Sequence, residues 1–321
     1  MDAIELCAGA GGQSIGLEQS GFAHLALVEI DADCRRTLHL NRPDWNVVEG
    51  PQSDIRQFDG RPFAGVDLVA AGLPCPPFSV AGKQLGANDE RNLFPDALRI
   101  VDEARPRAIM IENVRGFLDA VFTDYRQHLR ADLRKLGYEV DWRLFNASDF
   151  GVPQLRPRVV IVAIRQDIRD RFAWPDPDHT PAPTVGQALG DLIAADGWEG
   201  AAAWAAAADE IAPTIVGGSK KHGGPDLGPT RARKAWATLG VNGSSLADAP
   251  PAPGFVGQPR LTVRMAARIQ GFPDDWAIWG RKTTAYRQVG NAFPPPVARA
   301  VSARINAALE PRARLRVVAG G

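Results

Sequence analysis

An alternation constrains this chain more than anything else in it. Through the first half, the apolar runs AIELC, HLALVE, NVVE, VDLVAAG, AIMIE, EVDWRLF and RVVIVAI follow one another. Stretches with helical spacing lie between several of them, at 13–20, 31–40, 92–104 and 121–135. Strand–helix repetition over this length implies an α/β fold built on an open, mostly parallel sheet with helices on both faces. Such sheets bind ligands outside the carboxyl ends of their strands. The residues that follow each run are therefore the ones to read for chemistry.

The alternation stops near residue 170. A proline-rich connector, AWPDPDHTPAPT, leads into AAAWAAAADE and then TIVGGSKKHGGPDLGPTRARK, with little periodicity and many turn residues. A second linker, ADAPPAPGFVGQP, precedes a return of helical pattern at LTVRMAARIQGF. The last helix carries Val297, Ala300, Val301, Ile305 and Leu309 at a spacing suited to packing on the first domain. The expected organisation is a large domain over 1–174, a smaller loop-rich domain over 175–259 inserted before the final elements, and a returning segment over 260–321.

Charge divides along the same lines. Net charge is zero, yet residues 1–60 hold ten acids against four bases, whereas 211–264 hold seven bases against two acids. One region resists polyanions and another attracts them. Apolar residues are 45% of the chain, which excludes global disorder. The cysteines, Cys7, Cys34 and Cys75, are odd in number and lack metal-ligand spacing, so a disulfide frame, a zinc site or any other metal is not expected. The five histidines are scattered. With no basic leader and no long apolar run, the expected setting is a reducing cytoplasm without a membrane span.

The first strand end reads ELCAGAGGQSIG. A glycine loop between strand and helix lets a ligand approach the backbone at a helix N-terminus. Gly9 and Gly11 match the first two glycines of the dinucleotide fingerprint, but its third position is Ser14. Glu29 closes the second run, where a carboxylate accepts ribose hydroxyls, and Asp54 follows the third, placed to accept from an adenine amino group. Together they describe a nucleoside pocket for NAD or S-adenosylmethionine, and the loop does not choose between them.

The next strand ends carry reactive groups. VDLVAAG runs into GLPCPPFSVAGKQ, where Pro74, Pro76 and Pro77 fix the backbone around Cys75. AIMIE ends in Glu112 and Asn113, and QLRPR supplies Arg156 and Arg158 where another strand begins. A free thiol is only a few per cent thiolate at neutral pH, roughly, so a nucleophilic Cys75 needs a cationic neighbour. Arg158 is the best candidate, and the absence of a nearby histidine in these motifs disfavours a Cys–His hydrolase.

The ordered set ELCAGAGG, GLPCPPFSVAGKQ, ENV, QLRPRVVIV, RLTVRMAARIQGFPDDW and YRQVGNAFPPPVARAV resembles the DNA (cytosine-5) methyltransferases, most closely the compact bacterial restriction–modification type. The likeness runs from residue 4 to about 303. It implies a Rossmann-like S-adenosylmethionine-dependent methyltransferase sheet, with a target-recognition domain at 175–259. The cofactor would lie among Leu6, Cys7, Ala8, Gly9, Gly11, Gly12, Glu29, Ile30, Asp54, Ile55, Gly72, Pro74, Asn291 and Ala292. The implied chemistry is addition of Cys75 to C6 of a flipped cytosine, with Pro74, Glu112, Asn113 and Arg158 around the ring and Arg156 ordering the loop or meeting phosphate.

Ser79, Lys83 and Gln84 would clamp double-stranded DNA, and Lys220, Lys221, Arg231, Arg233, Lys234 and Thr238 would meet it from the recognition domain. A monomer is implied, with a cognate restriction endonuclease as a functional partner. Departures from the family pattern are Met265 in place of an acid, and Cys7 and Ile30 in place of aromatic residues. The competing readings are a tRNA cytosine-5 methyltransferase, a catalytically inactive DNA-binding relative and, remotely, a nicotinamide oxidoreductase.

Overall fold

A computed structural model describes residues 1–74, 92–177, 181–218 and 224–310. Its large sheet contains β1 (Asp2–Leu6), β2 (Ala23–Val28), β3 (Leu68–Gly72), β4 (Ala108–Val114), β5 (Tyr138–Asn146) and β7 (Pro157–Arg165), in the order β2-β1-β3-β4-β7-β5. The first four strands in that order are parallel, and β7 runs antiparallel to both of its neighbours. Antiparallel pairing of β5 with β7 needs no crossover helix. It has a functional consequence: β7 begins at the edge where β4 ends.

The run NVVE does not become a strand. Only Val47 pairs, as an isolated parallel bridge to Leu27. The chain then turns through a 3-10 helix at Gly50–Ser53, which Asp54 caps. Asp54 therefore leaves a turn rather than a third strand end. The central runs β1, β3 and β4 form strands because they are apolar on both faces. Ile4, Leu6, Val69, Ala71, Ile109 and Ile111 point to one side, against Phe94, Ala97 and Ile100 of α3 (Phe94–Ala104) and Leu129 and Leu133 of α4 (Thr123–Lys135). Ala3, Leu68, Ala70, Ala108 and Met110 point to the other, against α10 (Pro295–Leu309).

Helix α1 (Gly12–Gln19) packs on α10 so closely that a Cβ at Gly16 would collide with Ala298. Ser302 Oγ donates to Gly16 O at 3.3 Å, and Asn306 Nδ2 donates to Ser20 O at 2.9 Å. The last helix thus completes a layer begun by the first, as its apolar spacing predicts.

Residues 181–218 and 224–259 hold more regular structure than their turn-rich sequence suggests. They contain α5 (Val185–Ala194), α6 (Ala201–Ala207) and α7 (Thr230–Thr238). A short strand, β8 (Ala212–Pro213), pairs in parallel with β6 (Gln154–Leu155). Thr184 opens α5 with a capping box: its hydroxyl accepts from Gln187 N, and its own N–H donates to Gln187 Oε1 at 2.9 Å. Trp204, Trp236 and Leu246 join one apolar cluster with Met265, Tyr286 and Val289, with Ala8 and Ala10 of the glycine loop and with Ile15 of α1. The inserted region and the sheet therefore share a core.

Helix α8 (Val263–Ile269) shows how the sequence absorbs Met265. Thr262 Oγ1 accepts from Met265 N, and the Met265 sulfur accepts from Thr262 N at 3.4 Å. The thioether fills the position of a capping-box carboxylate while staying fully buried.

Candidate active site

The glycine loop takes its shape from left-handed backbone. Cys7, Gly9 and Gly11 all have positive φ, 56°, 56° and 89°. A side chain at position 9 would meet nothing within 4 Å, so the loop leaves open space on its outer side. At Gly11 the reason is different: a Cβ there would strike the ring of Trp276 and the side chain of Leu38. Trp276 Nε1 also donates to Ala10 O at 3.0 Å, so this indole supports the loop from below. On the opposite side, Ala292 and Phe293 press on Gly12, the first residue of α1. Below the loop, Glu5 is fully buried beside Gln13 and His24, and burial raises its carboxyl to a pKa of about 8.

Glu29 anchors the loop. Its Oε2 accepts from Gly9 N at 2.8 Å and its Oε1 from Asp31 N at 2.7 Å. Each carboxylate oxygen keeps a further lone pair for a ligand hydroxyl. The Cys7 thiol is pushed up by burial and by the nearby charges of Glu29, Asp54 and Glu5. Cys34 is raised by burial and by the charges of Glu29, Asp31 and Asp33. Neither is an activated nucleophile. Asp54 Oδ1 accepts from Arg56 N, while Ile55 is buried and its carbonyl is held by Arg99 at 2.8 Å. Ile30 is largely exposed, a loose aliphatic flank to this pocket.

Gly72, the last residue of β3, pairs in register with Glu112 of β4. It also approaches the Cys7 carbonyl, with 3.2 Å left for an added Cβ. Chain leaving β3 thus starts between the glycine loop and Glu112. Pro74 is the last described residue there. Cys75, Ser79, Lys83 and Gln84 lie outside the described residues.

Glu112 is buried, and its Oε1 lies 2.7 Å from Arg158 Nε. Val114 pairs with Arg158 and Glu112 with Val160, so the two side chains are diagonal neighbours on one sheet face. Burial raises the Glu112 pKa, and the positive charges of Arg158 and Arg156 oppose that rise. The result is a carboxyl that holds its proton more tightly than an ordinary glutamate, beside a fixed guanidinium.

The structure assigns other neighbours to two predicted residues. Asn113 alternates to the opposite face from Glu112, and its Oδ1 accepts from Val114 N at 2.9 Å, shaping the strand end rather than facing the carboxylate. Arg156 is completely buried, its guanidinium donating to Ile215 O and Gly290 O at 2.7 Å each and to Ala292 O at 3.1 Å. It therefore does not meet phosphate. Asn291, which ends α9 (Lys282–Asn291), is exposed and donates to Gly218 O at 3.2 Å, next to the Ala292 that touches the glycine loop.

Comparison with known proteins places these features in a family. The model of the C-5 cytosine-specific DNA methylases matches residues 1–307. The chain belongs to that family. It is 56% identical over 312 residues to the type II methyltransferase M.NaeI of Lentzea aerocolonigenes, covering 96% of this chain and 75% of that one. It is 51% identical over 310 residues to M.NgoMIV of Neisseria gonorrhoeae, covering 96% and 97%. Among solved structures, a putative DNA modification methyltransferase from an Escherichia coli prophage aligns with a TM-score of 0.65 at 21% identity, over 95% of this chain and 98% of that one. A Spodoptera frugiperda DNMT2 mutant aligns at 0.61 and 18%, over 96% and 99%. The fold is the Rossmann-like methyltransferase fold, and the enzyme is a DNA cytosine-5 methyltransferase. The tRNA reading has less support than DNA.

In this methyltransferase, Arg231, Arg233, Lys234 and Thr238 are exposed along α7. Thr238 Oγ1 is turned back onto Ala235 O at 2.8 Å. Lys220 and Lys221 lie outside the described residues. Among those described, no group of acids, histidines and cysteines is arranged to hold a metal, and no helix is long and apolar enough to cross a membrane. Sequence reasoning missed Gln154, Gln270 and Trp276 as site-supporting residues. The first offered a signal: in QLRPR, residues 154, 156 and 158 recur with the two-residue period of extended chain.

Proposed function

We propose that this enzyme methylates C5 of a cytosine flipped out of double-stranded DNA, with Cys75 as the nucleophile and S-adenosylmethionine as the methyl donor. The observation that carries the reading is the buried Glu112–Arg158 pair at the sheet edge, beside the strand end that leads to Cys75. The left-handed glycine loop, its open outer side and the spare lone pairs of Glu29 fit an adenosyl group, with Asp54, Ile55, Leu6, Cys7, Ala8 and Ile30 around it. When bound, the sulfonium cofactor supplies an electrophilic methyl group.

The protein's own residues do the rest. The Cys75 thiolate adds to C6, and the ring electrons move to make C5 nucleophilic. Glu112, holding its proton, donates to N3 and accepts from the exocyclic amine, and Arg158 donates to the ring carbonyl. After C5 takes the methyl group, its proton leaves to a base. The returning electrons expel the thiolate and restore the ring. Burial and acidic neighbours keep Cys7 and Cys34 as thiols, which supports Cys75 among the three cysteines.

Residues 175–259 act as the target-recognition domain, with Arg231, Arg233 and Lys234 toward DNA phosphates. The relatives named as type II methyltransferases support a role as the modification enzyme of a restriction–modification system, acting as a monomer in the cytoplasm. DNA carrying 5-fluorocytosine at the methylated position tests the mechanism. Fluorine does not leave as a proton does, so the enzyme should form a denaturation-resistant adduct, and Cys75→Ala should form none. A trapped Cys75→Ala protein, or no adduct with wild type on a verified site, overturns the thiol scheme.

A further inference from the structure

Among the buried polar groups, one cluster stands apart from the cytosine pocket. Gln154, Arg156 and Gln270 are all fully buried, and they bind one another and three distant backbone segments. Gln154 Oε1 accepts from Ile215 N at 2.8 Å, while its Nε2 donates to Gln270 Oε1 at 2.7 Å. Gln270 Nε2 in turn donates to Ala292 O. Arg156 spans the same gap from Ile215 O to Gly290 O and Ala292 O. Two of these carbonyls belong to the C-terminal end of α9, where a cation is favoured. Burying a guanidinium is costly unless its donors are paired, and here backbone oxygens accept from both of its terminal nitrogens.

The clamped segment is 214–218. Its outer contacts are equally specific. Thr214 Oγ1 donates to Leu155 O at 2.6 Å, and Asn291 Nδ2 donates to Gly218 O. Gly217 and Gly290 touch backbone to backbone, with no room for a Cβ on either. Five consecutive residues, 154–158, therefore hold both segment 214–218 and the guanidinium that pairs with Glu112.

We propose that Arg156, with Gln154 and Gln270, is a positioning residue that registers the target-reading segment against the Glu112–Arg158 pair. The proposal rests on the DNA-methylating reading above. The test compares wild type, Arg156→Lys and Gln270→Met in three measurements: cofactor affinity by calorimetry, kcat and KM on a cognate duplex, and the kcat/KM ratio between that duplex and one with a single changed base pair. Lysine keeps the charge but loses the fork that spans the carbonyls.

Arg156→Lys should bind cofactor within about twofold of wild type. It should lose about tenfold or more in kcat/KM on the cognate duplex, and its base discrimination should narrow. Gln270→Met, which removes the bonds to Gln154 Nε2 and Ala292 O and leaves those of Arg156, should narrow discrimination with a smaller loss of rate. If Arg156→Lys does not fold, the Gln270→Met result decides. Unchanged discrimination in a folded variant overturns the proposal. So does an equal loss of cofactor binding, which would mark a general packing role. A wild-type protein that methylates no DNA would instead refute the functional reading beneath it.

Discussion

At Glu112 two influences pull in opposite directions. Burial favours the neutral carboxyl, and the guanidinium 2.7 Å away favours the carboxylate. The balance lies above the ordinary glutamate value, so the proton is retained as pH rises past 4.5 and lost only at higher pH. Activity that needs the protonated form therefore declines on the alkaline side. Glu112→Gln keeps a donor but cannot transfer a proton. Its kcat should fall by about a hundredfold or more, and the alkaline decline assigned to Glu112 should vanish from its pH–rate profile. A profile identical in shape to wild type would remove Glu112 from that role. Glu112 and Arg158 were legible in sequence because each sits beside a strand boundary that apolar patterning marks. The burial of Arg156 was not. Its acceptors lie 59 and 134 residues away in the chain, and no local pattern carries that information.

Elements followed their sequence signals where the signal was physical and local. Val297, Val301, Ile305 and Leu309, spaced for one helix face, are all buried along α10. NVVE failed as a strand because Pro51 lies just beyond it and favours the first turn of a 3-10 helix, leaving one bridge to β2. Helices in 175–259 were hidden by alanine and glycine, whose small side chains give a weak apolar stripe. At α8 a thioether serves where a carboxylate is expected, which motif reading could only register as a departure. Thr262→Ala removes that cap without touching the pocket. It should lower stability by about 1 kcal/mol, measured by denaturant unfolding, with kcat unchanged. A large loss of rate would show that α8 does more than support the core.

For the whole molecule, the separation of charge along the chain matches a division of labour. The acid-rich start includes Glu29 and Asp54 beside the glycine loop, and the exposed bases of α7 belong to the region between the two linkers. Exchanging 175–259 for the corresponding segment of another family member should change the sequence methylated, as read by bisulfite sequencing, and leave cofactor affinity intact. Retention of the original site would move target reading elsewhere.

The pairing of α1 with α10, and the indole of Trp276 under Gly11, also bear on when the protein becomes competent. A ribosome must pass residue 309 before the glycine loop gains both of its supports. Chains released before residue 276 carry the glycine loop without either prop, so the loop's working shape waits on the synthesis of α10.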